Sequence, residues 1–328
     1  MNNLKNAIAA VAVLMAVAPV YGQRTGTRSN NRANTNNNTA TPPSNVITVT
    51  ANGVSFKMVK VQGGTFTMGA TSEQGTDAYD DEKPAHSVTL RDYYIGQTEV
   101  TQELWKAVMG NNPSNFAPIQ TNSSRCSYDA FVEDAKKLNQ RKPGTVRIPT
   151  REEWDATMIS TKGSLLRPVE QVSWDDCQTF IRKLNSITGK SFRLPTEAEW
   201  EFAARGGTKS RGYKYSGSNN IGDVAWYDKN AYDIGNNSPN YGTHPVGTKT
   251  ANELGIYDMS GNVLEWCSDW YGDYSSSSQT NPQGPSSGSF RVLRGGRWDN
   301  DTRYCRVSDR DGSSPDYRSY YRGLRLAF

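Results

Sequence analysis

Residues 193–207 read RLPTEAEWEFAARGG, and this stretch predicts a short strand followed directly by the first turn of a helix. Thr196 is a natural N-cap, and Glu199 follows it at the spacing of a capping box. The Arg-Leu-Pro-Thr piece before the cap predicts a short strand. From Gly206 onward the sequence predicts mostly turns and short aromatic strands.

The same pattern occurs a second time, as an internal repeat. Residues 126–155 and 172–201 align without a gap and share Ser-x-Asp, Lys-Leu-Asn and Arg-x-Pro-Thr-x-x-Glu-Trp. Each copy predicts a capped helix, a turn, a short strand and a second helix start, with Thr150 and Glu153 as the capping box of the first copy. Repeat architectures need about three units or more. We therefore expect a local duplication at about 126–165 inside one domain.

Further elements are predicted on the amino-terminal side of the repeat. Residues 46–51 and 54–61 predict two strands joined through Asn52-Gly53, a hairpin-turn dipeptide. Residues 88–96 alternate like another strand, and residues 99–110 carry apolar side chains at helical spacing.

The composition is that of a polar, loop-rich protein. Apolar residues make up 35% of the 328 residues, the mean hydropathy is −0.73, and there are 29 glycines and 15 prolines. These values exclude collagen, a coiled coil and a polytopic membrane protein. The net charge is +4, but four cations lie in the first 45 residues, which contain no acid. The remaining chain is neutral, so we expect no nucleic-acid partner. Only His86 and His244 are present, which excludes a His-rich metal site.

The amino-terminal residues predict export. Residues 1–22 have the build of a secretory signal peptide, with Lys5 before a short apolar run and small residues that favour cleavage after Gly22. The run is too short to cross a bilayer. Residues 23–45 are rich in Asn and Thr and predict a disordered tether before a folded domain over residues 46–328. We therefore expect a secreted or periplasmic protein that does not span the membrane.

Several motifs along the folded part resemble one known family, the formylglycine-generating enzymes, also called sulfatase-modifying factors. The motifs are GTFTMGA (64–70), EKPAHSVTL (82–90), EVTQELWKAVMG (99–110), PVEQVSW (168–174), RLPTEAEWEFAARGG (193–207), GNVLEWCSDWY (261–271), RVLRGGRW (291–298) and GLRLAF (323–328). The resemblance implies a C-type-lectin-like α+β fold with little regular secondary structure.

The resemblance also implies an activity whose residues are incomplete here. Active members oxidise a sulfatase cysteine to formylglycine with copper(I), which two thiolates hold, and soft sulfur ligands suit that ion. Counted from Arg294, the two cysteine positions are Asn300 and Cys305 in this sequence. We therefore expect no copper site and a non-catalytic member. The alternative is an active oxidase that uses Cys305 with another cysteine such as Cys267 or Cys177.

A structural calcium site is the second implied feature. Family members bind calcium with Asn-x-x-Gly-x-Ala-x-Glu, and the matching segment here is DMSGNVLE, residues 258–265. The resemblance implies ligands from the carboxylates of Asp258 and Glu265 and the carbonyls of Gly261 and Val263, all hard oxygens of the kind calcium prefers. The alternative is that Asp258 caps a turn and Glu265 pairs with an arginine such as Arg294.

The four cysteines allow three pairings. Cys267 and Cys305 both lie in motifs of the carboxy-terminal half, and in an exported protein we expect them to form a disulfide. The alternative is that each is a buried thiol. The repeat does not predict how Cys126 and Cys177 pair, because they occupy different offsets.

The carboxy-terminal segment predicts a ligand-binding surface. Between the motif residues lie Tyr, Trp, Asp, Asn and Ser side chains, which combine rigid contact area with adaptable hydrogen bonding. We expect this surface to bind a protein or glycan ligand. The segment also resembles the variable proteins of diversity-generating retroelements, which would make the chain a diversified receptor. The candidate ligand-binding residues are Trp298, Asp299, Asn300, Asp301, Tyr304, Asp309, Asp311, Tyr317, Tyr320 and Tyr321.

Overall fold

The computed structural model describes residues 45–116, 165–236, 238 and 240–328, with six helical residues between 132 and 140. The predicted signal peptide, nearly all of the tether and most of the first repeat copy lie outside the described residues. By its contacts the chain divides into two units, and the fold below is that of the unit formed by Asn45–Pro118 and Gly163–Phe328.

Short strands and helices alternate with long connections in this unit. Its helices are α1 (Gln102–Met109), α2 (Trp174–Thr188), α3 (Glu197–Ala204) and α4 (Ile221–Val224). Its strands are β1 (Val46–Ala51), β2 (Val54–Val61), β3 (Gly64–Met68), β4 (His86–Leu90), β5 (Tyr93–Gly96), β6 (Leu264–Trp270), β7 (Gln279–Thr280), β8 (Arg291–Arg294), β9 (Arg310–Ser313) and β10 (Arg322–Leu324).

The described strands form three small sheets. The first has the order β1-β2-β5, the second β10-β6-β8-β9 and the third β3-β4-β7. The pairs β10–β6 and β4–β7 are parallel and the others are antiparallel. This mixed content is the α+β architecture that the sequence predicts.

Local sequence signals set the ends of the helices. Thr196 caps α3, accepting the N–H of Glu199, and the Glu199 side chain accepts the N–H of Thr196, so the predicted capping box is confirmed. Helix α1 begins after Thr101 and ends at Gly110 in the left-handed conformation. The expected single strand over residues 88–96 is wrong. It consists of the end of β4 and the whole of β5, which lie in different sheets.

Three fully buried arginines tie the carboxy-terminal strands to the rest of the unit. Arg306 pairs with Glu82 at 2.6 Å, Arg325 pairs with Glu265 at 2.6 Å, and Arg294 pairs with Glu201. All six side chains are essentially inaccessible to solvent. Removing one partner of such a pair leaves an uncompensated buried charge. These pairs therefore fix the position of the segment that carries the candidate site. Among the described residues, no helix has the length and apolarity needed to cross a membrane.

Candidate functional site

The Trp298 ring is the centre of an aromatic group assembled from distant parts of the chain. Phe116 meets it edge-on at 5.3 Å between ring centroids, and Tyr241 meets it edge-on at 4.9 Å. Tyr232 lies 5.6 Å away and Tyr320 6.0 Å away. Edge-to-face and tilted contacts at these distances are favourable. We call the five residues the Trp298 surface.

Two glycines place Trp298 after strand β8. Gly295 has a φ of +100°, and a side chain there would lie 3.0 Å from the Trp200 ring. Gly296 has a φ of +72°, and a side chain there would meet the carbonyl of Tyr304 at 2.6 Å. Glycine is therefore required at both positions. The Trp298 N–H then donates to the carbonyl of Asn262 at 2.9 Å, which fixes the backbone.

The tryptophan forms the floor of this surface and the tyrosines form its exposed part. Trp298 is 1% exposed, whereas Tyr232 is 45% exposed and Tyr320 is 39% exposed. The indole Nε1 of Trp298 is buried and has no hydrogen-bond partner among the described residues. A buried indole usually finds an acceptor. From the exposed fractions, the Trp298 surface consists of exposed tyrosine rings packed over a buried tryptophan ring.

One ion pair lies at the edge of the Trp298 surface. Arg297 approaches Asp299 at 2.7 Å between Nε and Oδ1, and its guanidinium lies over the Tyr321 ring at 3.6 Å. Burial raises the pKa of Asp299 although Arg297 opposes the shift. Burial, and then the negative charge of Asp299, raise the pKa of Tyr320. Aromatic area therefore lies beside both a carboxylate and a guanidinium.

A buried carboxylate holds the loop that supplies Phe116. Glu170 accepts the N–H of Asn115 at 2.9 Å and the N–H of Phe116 at 2.8 Å, and it is fully buried. Burial raises the pKa of Glu170 to about 7, and the two backbone hydrogen bonds only partly oppose this. The position of Phe116 on the Trp298 surface thus depends on a group that titrates near neutrality.

The structure separates the other predicted ligand-binding residues into several places. Four of them have other neighbours or positions. Tyr304 stacks on Tyr79 at 5.9 Å, and Tyr317 lies under Arg322 at 4.5 Å. Asp301 caps a short 3-10 helix at Thr302–Cys305, and Asp311 is exposed on β9. Asn300 is half-buried, and its carbonyl accepts the N–H of Asp228 at 2.9 Å.

Asp309, also predicted to bind the ligand, lies in the interior rather than on the surface. Its side chain is 4% exposed and lies 3.4 Å from Arg306, inside the buried network around Glu82. Burial raises the pKa of Asp309 well above its ordinary value. The alternation of polar residues along the segment gave no indication that this carboxylate would point inward.

Sequence reasoning also missed three members of the Trp298 surface. Phe116 follows α1, and Tyr232 and Tyr241 lie in the region after α4. None belongs to a motif, and each is far in sequence from the carboxy-terminal segment. No local pattern could have placed them beside Trp298.

The predicted disulfide is contradicted by the structure. Cys267 and Cys305 are both free and fully buried, and so is Cys177. The three thiols lie in three separate hydrophobic clusters. Burial raises the pKa of each thiol. The alternative reading of buried thiols therefore holds for these residues, and Cys126 lies outside the described part of the chain.

The segment implied to bind calcium is internally hydrogen-bonded. Asp258 accepts the N–H of Gly247 at 2.6 Å. Glu265 pairs with Arg325 at 2.6 Å and accepts the indole N–H of Trp200 at 2.7 Å. The arginine is therefore Arg325 rather than Arg294. No group of three His, Cys, Asp or Glu side chains in the described ranges is arranged to hold a metal ion. The implied calcium set contains only two such side chains, with two backbone carbonyls as the other ligands. The lack of a three-residue group therefore does not test the calcium prediction.

The fold and its motifs define a class, the α+β domains of the formylglycine-generating-enzyme type. Residues 45–328 match the family model described as Sulfatase-modifying factor enzyme 1-like domain, and the chain belongs to this family. The predicted family and fold class are confirmed.

Relatives in this family carry different names. The chain is 36% identical to Chaperone protein LppX of Paenibacillus barcinonensis, over 83% of this chain and 89% of the relative. It is 33% identical to the formylglycine-generating enzyme of Streptomyces coelicolor, over 82% of this chain and 88% of the relative.

Among solved structures, Treponema denticola variable protein 1 is 32% identical to this chain. It superposes with a TM-score of 0.64, over 88% of this chain and 99% of the other. The structure of PvdO from Pseudomonas aeruginosa, 24% identical with a TM-score of 0.58 over 88% of this chain and 99% of the other, shares the fold.

Proposed function

We propose that this chain is an exported, non-catalytic member of the family that binds a protein or glycan ligand through the Trp298 surface. The observation that carries this proposal is the pair of exposed rings, Tyr232 and Tyr320, held over a fully buried tryptophan. Rigid aromatic side chains lose little conformational entropy on binding. The neighbouring Asp299 and Arg297 supply polar contacts of both signs.

The arrangement of the thiols supports a non-catalytic role. Copper(I) in the family's enzymes needs two thiolates on one ion. Here Cys177, Cys267 and Cys305 lie in separate clusters, so no two of them share a packing environment. Burial also raises the pKa of Cys305, which favours the protonated thiol over the metal-binding thiolate.

Copper titration with an activity assay tests the absence of catalysis. The purified protein is titrated with copper(I) and incubated with a cysteine-containing sulfatase peptide. We expect neither stoichiometric copper binding nor formylglycine. Stoichiometric binding together with turnover, both lost in Cys305→Ser, would refute the non-catalytic assignment and establish the oxidase.

Ligand binding is tested with an immobilised glycan panel and a panel of surface proteins. We expect binding by the unmodified chain, and a loss of at least tenfold in Tyr232→Ala and Tyr320→Ala. Phe290→Ala is the matched control, because Phe290 is an exposed aromatic residue outside the Trp298 surface. Equal losses in all three variants, or unchanged binding in the two tyrosine variants, would contradict the assignment of this surface.

The likeness to a variable protein favours a second candidate function, a receptor diversified by a retroelement. Treponema denticola variable protein 1 aligns over nearly its whole length. The gene neighbourhood decides between the two. A reverse-transcriptase gene beside a near-copy of the DNA that encodes the carboxy-terminal segment would establish diversification, and the absence of both would leave a receptor of fixed sequence.

The proposal also includes a calcium ion, because acidic groups outnumber basic groups around residues 258–265. Three buried carboxylates, those of Glu99, Asp258 and Glu265, share one buried arginine, Arg325. One oxygen of Glu99 is buried and has no hydrogen-bond partner in the described part of the chain. Asp258, the carbonyls of Gly261 and Val263, and Glu265 shared with Arg325 would hold a hard cation.

The melting temperature in calcium and in EDTA tests that site. We expect calcium to raise the melting temperature of the unmodified chain and to have no effect in Glu265→Gln. An equal loss of stability in calcium and in EDTA would show that Glu265 acts only through Arg325.

A further inference from the structure

A cavity of about 500 Å³ lies at the amino-terminal end of α3, apart from the Trp298 surface. None of its lining residues belongs to the Trp298 surface. Its volume falls within the range of about 300–1,000 Å³ that is typical of small-molecule sites. Two buried acids line it, Glu197 at the start of α3 and Asp269 near the end of β6.

Only one of the two oxygens of the Asp269 carboxylate accepts hydrogen bonds from described residues. Oδ2 accepts the N–H of Glu197 at 3.0 Å and the hydroxyl of Ser268 at 2.9 Å. No hydrogen bond from a described residue reaches Oδ1, although the residue is only 4% exposed. Oδ1 is not one of the fully buried atoms that lack a partner, so it is open towards the cavity. It can therefore accept a hydrogen bond from a ligand there.

No described residue forms an ion pair with Asp269, although its charge interacts with those of Arg193 and Arg291. Glu197 is already neutralised, because Arg310 binds it through two hydrogen bonds of 2.6 and 2.8 Å. Asp273, on the lining, is exposed and adds a second negative charge. Burial raises the pKa of Asp269 to about 7, as expected for a buried carboxylate without an ion pair.

The walls of the cavity are suited to an apolar body. Trp270, Tyr274, Pro282 and Pro285 line it. Gly284 passes beside the acid with a φ of +70°, where any side chain would lie 2.9 Å from the Asp269 Cβ and 3.2 Å from its Oδ1. Glycine thus keeps the free oxygen approachable.

From this arrangement we propose that the cavity binds a small organic amine, whose ammonium group donates to Oδ1 of Asp269 while its apolar stem lies along the aromatic and proline walls. A charge-assisted hydrogen bond to a buried carboxylate is stronger than a neutral one. A divalent metal fits less well, since only one buried carboxylate of the cavity is uncommitted.

The test compares n-pentylamine with 1-pentanol, which has the same stem without the positive charge. Binding is followed by NMR chemical-shift perturbation of the full chain. We expect saturable binding of the amine and at least tenfold weaker binding of the alcohol. Amine binding should fall at least tenfold in Asp269→Asn, whose amide oxygen can still accept the N–H of Glu197. Asp316→Asn removes an exposed acid elsewhere and should bind like the unmodified chain.

A second variant keeps the test independent of the fold of Asp269→Asn. Ser275 is exposed on the lining of the cavity, so Ser275→Trp should obstruct the ligand without touching the core. Loss of amine binding in both variants supports the site. Absence of amine binding to the unmodified chain, equal binding of the alcohol, or unchanged binding in Asp269→Asn and Ser275→Trp would overturn it.

Discussion

The substitution Glu170→Gln should change how the stability of this domain depends on pH. Glu170 is fully buried, and its pKa in the folded chain is about 7 against an ordinary value of 4.5. A carboxyl whose pKa is raised by folding holds its proton more tightly in the folded state. Its contribution to stability is therefore full below pH 4.5 and is lost as the pH rises towards 7.

The size of this effect follows from the two pKa values. They differ by about 2.5, and each pKa unit is worth about 1.4 kcal/mol, so the unmodified chain should lose about 3 kcal/mol from this group between pH 4 and pH 8. Glutamine does not titrate and removes that loss. It also presents an amide N–H₂ towards one of the two backbone donors, at a cost of about 1–3 kcal/mol that does not vary with pH.

The assay is urea unfolding of both chains at several pH values between 4 and 8. The difference in the free energy of unfolding, variant minus unmodified, should rise by up to about 3 kcal/mol across this interval. Other buried acids such as Asp258 and Asp269 titrate in both chains and cancel in the difference. A difference that stays constant with pH would falsify the reasoning.

Three further substitutions have effects that the structure predicts. Trp298→Ala should destabilise the domain by about 3–5 kcal/mol in urea unfolding and abolish ligand binding, because the ring is buried under the whole aromatic group; a loss below 1 kcal/mol would contradict that packing. Glu82→Gln should cost about 3–5 kcal/mol by leaving Arg306 without its carboxylate partner, and a near-neutral result would show that water reaches the pair. Thr196→Ala should cost about 1 kcal/mol, with Thr196→Ser as the control that keeps the cap.

The sequence predicted best those features that depend on neighbours along the chain. The capping box at Thr196 and Glu199 and the hairpin of β1 and β2 are both present. The strand expected over residues 88–96 shows the limit, since alternation describes a local conformation. It does not tell which partner each half joins, and β4 pairs with β3 while β5 pairs with β2.

The candidate site shows the same limit more strongly. Trp298 and Tyr320 were predicted from composition, but Phe116 reaches Trp298 from a loop about 180 residues away. Asp309 was expected at the surface and lies inside, because its orientation is set by Arg306 and Glu82. The pairing of Cys267 with Cys305 failed for a related reason, since shared motifs carry no information about the distance between two sulfurs.

The positions of the buried arginines in the sequence also limit when the domain can complete its folding during synthesis. Glu82 is synthesised more than 220 residues before its partner Arg306. The carbonyl of Gly96 is synthesised 229 residues before its donor, Arg325. Until those cations have been synthesised, Glu82 and the carbonyl of Gly96 lack their arginine donors. These contacts therefore close only after nearly the whole chain has been made, and contacts between residues so far apart in sequence form slowly.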